Sequence, residues 1–410
     1  MKTRNLFLIT VIAILATTGI FAQDVYVAGI TGNRQAAVWK NGVITNLTMP
    51  NAVYRVSVTS VFVYKGDVYV TGFYRPNSVA STRYIMWKNN VLTEFPTGEF
   101  PQNVFVSNND VYLAGSVSIN FGKEKAAFWK NGVPTIFPNA ISSEYVVAIA
   151  RAIHVVGNDV YVVGDVQREK TKKIIRLWKN GAPTDITDGV TDPDLWAVDL
   201  CVDGSDVYIT GYETALSNSY LWKNGVSTLL SNAWDQTTSI YAHNNNVYVA
   251  GYHHDKSTPV TTYVAMLWTN GVIQSLPGAY YNDVTASGRD VYLAGWRDGY
   301  GATLWKNGVP TTLSTPESDA MAVFVGDGSS SAEGIREDGK GLFYDPAAGE
   351  VSIYGLQPGE TIGLYDFKGS LLISDIASGE TKAISVARLS SGAYFVKTGS
   401  GRTFRWVKRP

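Results

Sequence analysis

The sequence has little cysteine, little net charge and no long apolar run after its start, and each shortage excludes a class of protein. Cys201 is the one cysteine, which rules out an intramolecular disulfide, and its apolar neighbours predict a small core residue. A formal net charge of -1 provides no basic field, so no nucleic-acid partner is expected. No stretch beyond residue 22 is apolar for the length of a bilayer, which predicts a mature chain without a transmembrane segment.

Residues 1–22 have the pattern of a secretory signal peptide. Lys2 and Arg4 supply positive charge, an apolar run follows, and Ala22 is the expected cleavage point before Gln23. No cysteine follows the apolar run, so a lipid anchor of the bacterial type is not expected. The pattern predicts export of a mature chain that starts at residue 23.

A stretch of about two dozen residues is repeated seven times. Its clearest copy, from Asp290 to Leu313, reads DVYLAGWRDGYGATLWKNGVPTTL. An alternating apolar run, a second run that ends in Trp, a Lys-Asn-Gly turn and a third short run predict three antiparallel strands. The copies begin, 40 to 49 residues apart, at Asp24, Asp67, Asp110, Asp159, Asp206, Asn246 and Asp290.

This period, built from strands and turns, predicts a β-propeller. An extra strand precedes each later copy, whereas the first copy opens the mature chain without one. A lone example of that strand, AMAVFV at Ala320 to Val325, follows the seventh copy. We expect it to join the first copy, so that the N- and C-terminal segments share one sheet and the ring closes. The predicted fold class is all-β, with a seven-bladed β-propeller over residues 23–328 that is closed by this strand sharing.

The repeated residues have predicted structural roles. Each Trp is expected between neighbouring blades, and the Asn, Gly and Asp residues of the tight turns are expected to supply positive backbone dihedrals. Both kinds of tight turn lie on one face of the predicted ring. The longer connections lie on the opposite face and vary in length and chemistry, so a ligand is expected there.

Aromatic residues accompany carboxylates and amides on this variable face, a combination that suits a sugar ring. The alternative for any single residue is that it caps the end of the interblade core. The ligand-binding candidates are Tyr54, Tyr145, Asp194, Trp196, Trp234, Asp235 and Tyr281.

The sequence contains no recognisable catalytic or cofactor motif, so no cofactor is expected. His253 and His254 adjoin Asp255, but neighbours in an extended segment point to opposite sides, so no metal site is expected. A competing interpretation is an enzyme that acts on polysaccharide through an acid and a base. Its candidate carboxylates, expected around the central channel, are Asp194, Asp235, Asp283 and Asp319.

The composition changes after residue 327. Residues 329–340 are small, polar and charged, and are predicted to form a linker. Residues 341–410 contain short alternating runs between glycine-containing turns, which predict a small Ig-like β-sandwich.

Two segments of this last domain closely resemble a type IX secretion system C-terminal sorting domain of type A. They are GLQPGETIGLYDFKGSLL at Gly355 to Leu372 and LSSGAYFVKTGSG at Leu389 to Gly401, and a basic end follows them. The resemblance implies that the type IX secretion machinery is a partner and that the domain is removed after export, often with attachment of the cargo to the cell surface. Phe343-Tyr344-Asp345-Pro346 departs from the Tyr-Pro-Asn-Pro-like start of that family. The matching motif residues are Gly359, Tyr365, Gly369, Gly392, Tyr394 and Lys408.

The DVYVAG and WKNG repeats, over residues 24–327, resemble uncharacterised secreted propellers of Bacteroidetes-type bacteria. They lack the marker residues of WD, kelch and sialidase repeats, so the resemblance implies a scaffold and leaves its ligand open. We expect a secreted or cell-surface protein that binds a glycan or a protein without catalysis. The alternatives are the polysaccharide-acting enzyme and a structural or adhesive surface protein.

Overall fold

The computed structural model describes most of the chain after the first 22 residues. The described ranges are 23–50, 53–120, 123–137, 145–168, 172–188, 193–213, 215, 218–232, 235–243, 245–255, 262–277, 279–326, 341–345, 349–390 and 392–408. The predicted signal peptide and linker lie outside them. All regular elements within these ranges are β-strands, and no helix there is long and apolar enough to cross a membrane.

The strands before residue 327 are β1 Val25–Ile30, β2 Ala36–Lys40, β3 Val43–Asn46, β4 Arg55–Tyr64, β5 Asp67–Arg75, β6 Arg83–Lys88, β7 Val91–Glu94, β8 Glu99–Ser107, β9 Asp110–Asn120, β10 Lys123–Lys130, β11 Val133–Ile136, β12 Tyr145–Val156, β13 Asp159–Arg168, β14 Lys173–Lys179, β15 Ala182–Asp185, β16 Leu195–Asp203, β17 Asp206–Glu213, β18 Ser219–Lys223, β19 Val226–Ser231, β20 Asp235–His243, β21 Asn246–Asp255, β22 Thr262–Thr269, β23 Val272–Pro277, β24 Ala279–Ser287, β25 Asp290–Arg297, β26 Gly301–Lys306, β27 Val309–Thr312 and β28 Asp319–Val325. The later strands are β29 Gly341–Asp345, β30 Glu350–Tyr354, β31 Thr361–Asp366, β32 Leu371–Ile376, β33 Thr381–Ser385, β34 Gly392–Thr398 and β35 Thr403–Lys408.

Strands β1 to β28 form seven four-stranded units. Unit 1 has the spatial order β28-β1-β2-β3, and units 2 to 7 follow the chain from β4–β7 to β24–β27, with units 3 and 4 joined by one parallel pairing of β10 with β12. Strand β28 pairs antiparallel with β1, which confirms the pairing expected for AMAVFV. The first strand of each unit contacts that of the next, and unit 7 contacts unit 1. The arrangement is all-β and propeller-like.

The repeated polar residues tie the two tight turns of a unit together. In unit 7, Asn307 has a φ of 51°, as a two-residue hairpin requires. Its Nδ2 donates to Asp290 Oδ1 at 2.7 Å, and Lys306 Nζ lies 2.7 Å from Asp290 Oδ2. Among the described residues the positive φ values fall on no Asp, so the expected backbone role of Asp is wrong; it acts through its side chain. The sixth copy replaces Asp and Lys together, by Asn246 and Thr269.

The repeated Trp side chains are buried where units meet, as predicted. The indole of Trp178 is fully buried and stacks on Phe137 of unit 3 with the ring centroids 4.7 Å apart. Each of the seven packs in an apolar cluster that it shares with a neighbouring unit. They are Trp39, Trp87, Trp129, Trp178, Trp222, Trp268 and Trp305.

A β-bulge interrupts the first strand of every unit, opposite the glycine of the repeated DVYVAG-type run. At Gly164 an added Cβ would lie 2.0 Å from the carbonyl oxygen of Ile149, so only glycine fits beside the bulge. The first strands of units 2 to 7 begin at least three residues before their bulge residues, as β16 does at Leu195, whereas β28 begins two residues before Met321. The bulge residues are Thr59, Gln102, Arg151, Val198, Thr238, Asn282 and Met321.

The C-terminal domain contains two sheets around one core. One sheet has the order β29-β30-β33 and the other β32-β31-β34-β35. Val351 and Ile353 of the first sheet share an apolar cluster with Leu364 and Val396 of the second. Two sheets packed on one core match the sandwich that the turn spacing predicted.

Candidate functional site

The first strands of the seven units line one central space that contains two chambers. The loop-face chamber lies towards the beginnings of these strands, and the turn-face chamber lies towards their ends, beside the tight turns. Both chambers are lined by Ser60, Asn103, Asp199, Ser239 and Asp283, which therefore mark the boundary between them.

The loop-face chamber has a volume of about 540 Å³ and a mixed aromatic and polar lining. All seven bulge residues contribute to its wall. Tyr252 and Gln236 also line it, and the Tyr252 hydroxyl donates to Gln236 Oε1 at 2.7 Å. The other aromatic lining residues are Phe73, Trp196 and Tyr212. Aromatic and amide side chains therefore occur together in the lining of this chamber.

Trp196 lines this chamber from within strand β16, and not from a loop of the variable face as its sequence position predicted. Lys173 Nζ lies 3.0 Å from the centroid of its ring, and Arg151 Cζ lies 5.1 Å away. Arg151 also forms a two-point ion pair with Asp165, with N to O distances of 2.7 and 3.2 Å. The Trp196 indole therefore serves first as a partner for these two cations, which reduces the ring surface left for a sugar.

The turn-face chamber has a volume of about 590 Å³ and an aromatic wall on one side. Phe324, Phe62, Phe105 and His154, from units 1 to 4, form an arc of neighbouring rings. Successive centroids are 4.8, 4.6 and 4.7 Å apart. Burial lowers the pKa of His154 to about 4, so its ring is neutral at physiological pH.

Two carboxylates at the boundary level share one hydroxyl. Ser239 Oγ lies 2.9 Å from Asp199 Oδ2 and 2.6 Å from Asp283 Oδ1. Asp199 also accepts the main-chain N–H of Ile240 at 2.9 Å, and Asp283 that of Val323 at 2.8 Å, so both carboxylates link neighbouring units. Burial raises the pKa of Asp283 to about 7 and raises that of Asp199.

Sequence reasoning missed Asp199, although a signal for it existed. Asp199 and Asp283 each follow the bulge residue of their unit by one position, so they occupy equivalent places in the repeat. The four carboxylates proposed for an enzyme engage separate partners instead. Asp194 accepts the main-chain N–H of Lys173, and Asp319 accepts the Tyr280 hydroxyl at 2.6 Å.

Asp235 and Tyr281 are buried inside first strands, with 0% and 5% of their surface exposed, which corrects their placement on an open loop. Asp235 Oδ1 lies 2.7 Å from His253 Nδ1. Tyr281 packs edge-on against Trp305 with the centroids 5.0 Å apart. Both strands continue on the loop side of their bulge residues, and a bulge leaves no mark in the alternation of the sequence.

The remaining candidates are Tyr54, Asp194, Tyr145 and Trp234. Tyr54 is 58% exposed, and Asp194 is partly buried. Tyr145 begins strand β12, with a side chain outside the described set, and Trp234 lies outside the described residues. The side chain of His254 is likewise outside the description. Within the described residues no group of three or more His, Cys, Asp and Glu side chains could hold a metal ion.

The motif residues of the C-terminal domain hold its turns and its last strand. Gly359 and Gly369 have φ values of 88° and 85°, which only glycine adopts readily. Tyr394 is buried and its hydroxyl donates to the Ser390 carbonyl at 2.6 Å. Tyr365 lies beside Gly363, and Gly392 begins strand β34. Lys408 Nζ donates to the carbonyls of Val386, Ala387 and Leu389 at 2.8, 2.9 and 2.8 Å.

Residues 342–409 match the family described as "Secretion system C-terminal sorting domain". This confirms the domain that the two C-terminal segments indicated. The protein is therefore exported, as a secreted or outer-surface protein, and the type IX secretion machinery is a partner. No curated protein matches the chain.

Solved structures that resemble the chain do so at low identity. PorZ of Porphyromonas gingivalis, described as an essential bacterial surface component of the type-IX secretion system, has 10% identity and a TM-score of 0.32 over 93% of this chain and 74% of its own. The extracellular domain of a putative one component system of B. thetaiotaomicron has 10% identity and a TM-score of 0.38, over 93% of this chain and 57% of its own. Puromycin hydrolase has 9% identity and a TM-score of 0.48, over 82% of this chain and 59% of its own. The chain thus spans little more than half of two of them, and with every TM-score below 0.5 these likenesses carry no functional information.

Proposed function

We propose that this exported protein is a non-catalytic binding scaffold for a glycan or a protein, with a glycan as the ligand that the loop-face chamber suits best. Residues 23–328 form a closed seven-bladed propeller in this proposal, preceded by a signal peptide at 1–22. A linker at 329–340 and a sorting domain at 341–410 follow. The pairing of β28 with β1 and the contact of unit 7 with unit 1 support the closed ring.

The lining of the loop-face chamber carries the proposal. Its volume of about 540 Å³ lies within the range of small-ligand sites, roughly 300 to 1,000 Å³. Phe73, Tyr212 and Tyr252 offer aromatic surface for the CH face of a sugar. Gln102 and Gln236 offer amides for hydroxyl groups.

Binding is preferred over polysaccharide cleavage because of what the boundary carboxylates do. Asp199 and Asp283 each accept main-chain N–H groups, from Leu200 and Ile240 in one case and from Val284 and Val323 in the other. These bonds hold the carboxylates in the wall between units. Incubation of each bound glycan with the protein is expected to release no reducing ends.

The test is a glycan array probed with the full chain and with a variant that fills the chamber. Val198 is a bulge residue in the chamber wall, so Val198→Trp places an indole in the ligand space. The expected loss of affinity is about tenfold or more, because the indole takes up space that the sugar would occupy. Val226→Trp is the matched control, because Val226 is 71% exposed at the start of β19.

The proposal predicts a defined sugar that binds the wild type and Val226→Trp but not Val198→Trp, at unchanged melting temperature. Equal glycan binding by both variants would place the ligand elsewhere. Absence of any bound glycan would leave a protein partner or a structural role as the better explanation.

A further inference from the structure

The turn-face chamber has a chemistry that a neutral sugar does not need. Its arc of Phe324, Phe62, Phe105 and His154 occupies the first four units. The equivalent positions of units 5 to 7 are Cys201, Tyr241 and Thr285. Cys201 and Thr285 have small side chains, so open space remains beside the aromatic wall. The whole chamber has a volume of about 590 Å³.

The floor of this chamber is formed by two carboxyl groups, those of Asp199 and Asp283, which lie on either side of the Ser239 hydroxyl. The hydrogen-bond partners of Asp199 and Asp283 are main-chain N–H groups and the Ser239 hydroxyl, all of them neutral. Within the described part of the chain, no Lys, Arg or His forms a salt bridge with either carboxylate. Ser239 has one proton to donate and cannot satisfy both carboxylates at once. Burial raises the pKa of both carboxyl groups, and an ammonium ion above them would supply the counter-charge that favours their ionised forms.

Two further titratable groups in the interior of the chamber carry no charge that would oppose a cation. His154 is neutral because burial lowers its pKa, and burial raises the pKa of the Cys201 thiol to about 12. At the rim, Lys65 Nζ donates to Asn109 Oδ1 at 3.2 Å, and Asp203 Oδ1 lies 3.9 Å from His243 Nδ1. The rim thus carries both signs, while the interior combines aromatic faces with a carboxylate floor.

We propose that the turn-face chamber binds an organic ammonium ion, with its positive charge among the rings of Phe62, Phe105 and Phe324 and above Asp199 and Asp283. Aromatic faces attract cations through the ring quadrupole, and quaternary ammonium groups are recognised in this way. The buried carboxylates add a counter-charge that no neutral ligand would use. This site shares the boundary residues with the glycan chamber but lies on their other side, and the proposal does not depend on glycan binding.

The test uses isothermal titration calorimetry of the full chain with benzyltrimethylammonium, with choline, and with 3,3-dimethylbutan-1-ol, the neutral isostere of choline. We expect the isostere to bind about tenfold or more weakly than choline. Phe105→Leu keeps an apolar side chain but removes the ring, and is expected to weaken ammonium binding by roughly threefold to tenfold. Phe367→Leu is the matched control, because Phe367 is 69% exposed in the C-terminal domain.

Asp283→Asn tests the contribution of the carboxyl groups. This variant is expected to bind ammonium ions more weakly and to bind the isostere as the wild type does. If that variant does not fold, Phe105→Leu and the isostere still decide the question. Equal binding of choline and its isostere overturns the proposal, as does unchanged affinity in Phe105→Leu or the absence of ammonium binding in the wild type. Val198→Trp is expected to retain ammonium binding, which separates this test from that of the glycan site.

Discussion

Replacing Gly164 by alanine is expected to destabilise the repeat region strongly. The new Cβ would lie 2.0 Å from the carbonyl oxygen of Ile149 and 2.9 Å from the Cα of Ala150. Both are backbone atoms, so no side-chain rotation relieves the contact. The bulge at Arg151 places that carbonyl there, and relief requires the first strand of unit 4 to shift.

We expect a cost of about 3 kcal/mol or more, at the upper end of the cost of overpacking. At roughly 2 to 4 °C per kcal/mol for a domain of this size, the melting temperature should fall by roughly 6 to 12 °C. Tryptophan fluorescence during thermal and urea unfolding reports this region, because the seven repeated indoles are buried in it.

Gly326→Ala is the matched control. Its Cβ would lie 3.8 Å from the carbonyl oxygen of Asp24, an ordinary contact, so stability should change by no more than about 0.5 kcal/mol. If Gly164→Ala and Gly326→Ala unfold together, the bulge does not require glycine and the reasoning is refuted.

Three further predictions concern the core, a buried carboxyl and the closing strand. Trp178→Ala should cost about 3 to 5 kcal/mol in urea unfolding, because it removes the indole stacked on Phe137; a cost below 1 kcal/mol contradicts the packing. The pKa of Asp283, raised to about 7 by burial, lies above the unfolded value of about 3.9, so its contribution to stability is present below pH 4 and lost as pH rises to 7. The wild type should therefore lose more stability than Asp283→Asn between pH 4.5 and 8. The free energies of unfolding of the two proteins are compared at each pH, because His154, with a pKa of about 4, makes both proteins more stable as the pH rises. Deletion of β28 should cause aggregation or a large loss of melting temperature by exposing the edge of β1, and a soluble, equally stable truncation argues against closure by this strand.

Most strands and hairpins of the fold could be predicted from short-range patterns in the sequence. Alternation in runs such as DVYLAG indicated the strands, and Asn307 with its equivalents marked the hairpins. The lone run AMAVFV indicated its partner because the first copy lacked a preceding strand, and β28 pairs with β1. The C-terminal domain was identified through its own motifs, which the family match supports.

The positions of the candidate site residues were predicted much less well from the sequence. Trp196 and Tyr281 belong to strands rather than loops, because the first strands of their units continue on the loop side of the bulge and no alternation pattern shows it. Trp196 was expected to stack on a sugar, yet Lys173 lies 3.0 Å from its ring centroid.

The sequence by itself therefore determined the strands, the tight turns and the burial of residues such as Trp178, because these depend on alternation and backbone dihedrals within a few neighbouring residues. The tertiary structure alone decided that Asp199, Ser239 and Asp283 meet, that four aromatic rings form one wall, and that Gly164 faces a carbonyl. Those contacts join different units or strands, and their positions depend on how each first strand bends at its bulge and packs against the next unit.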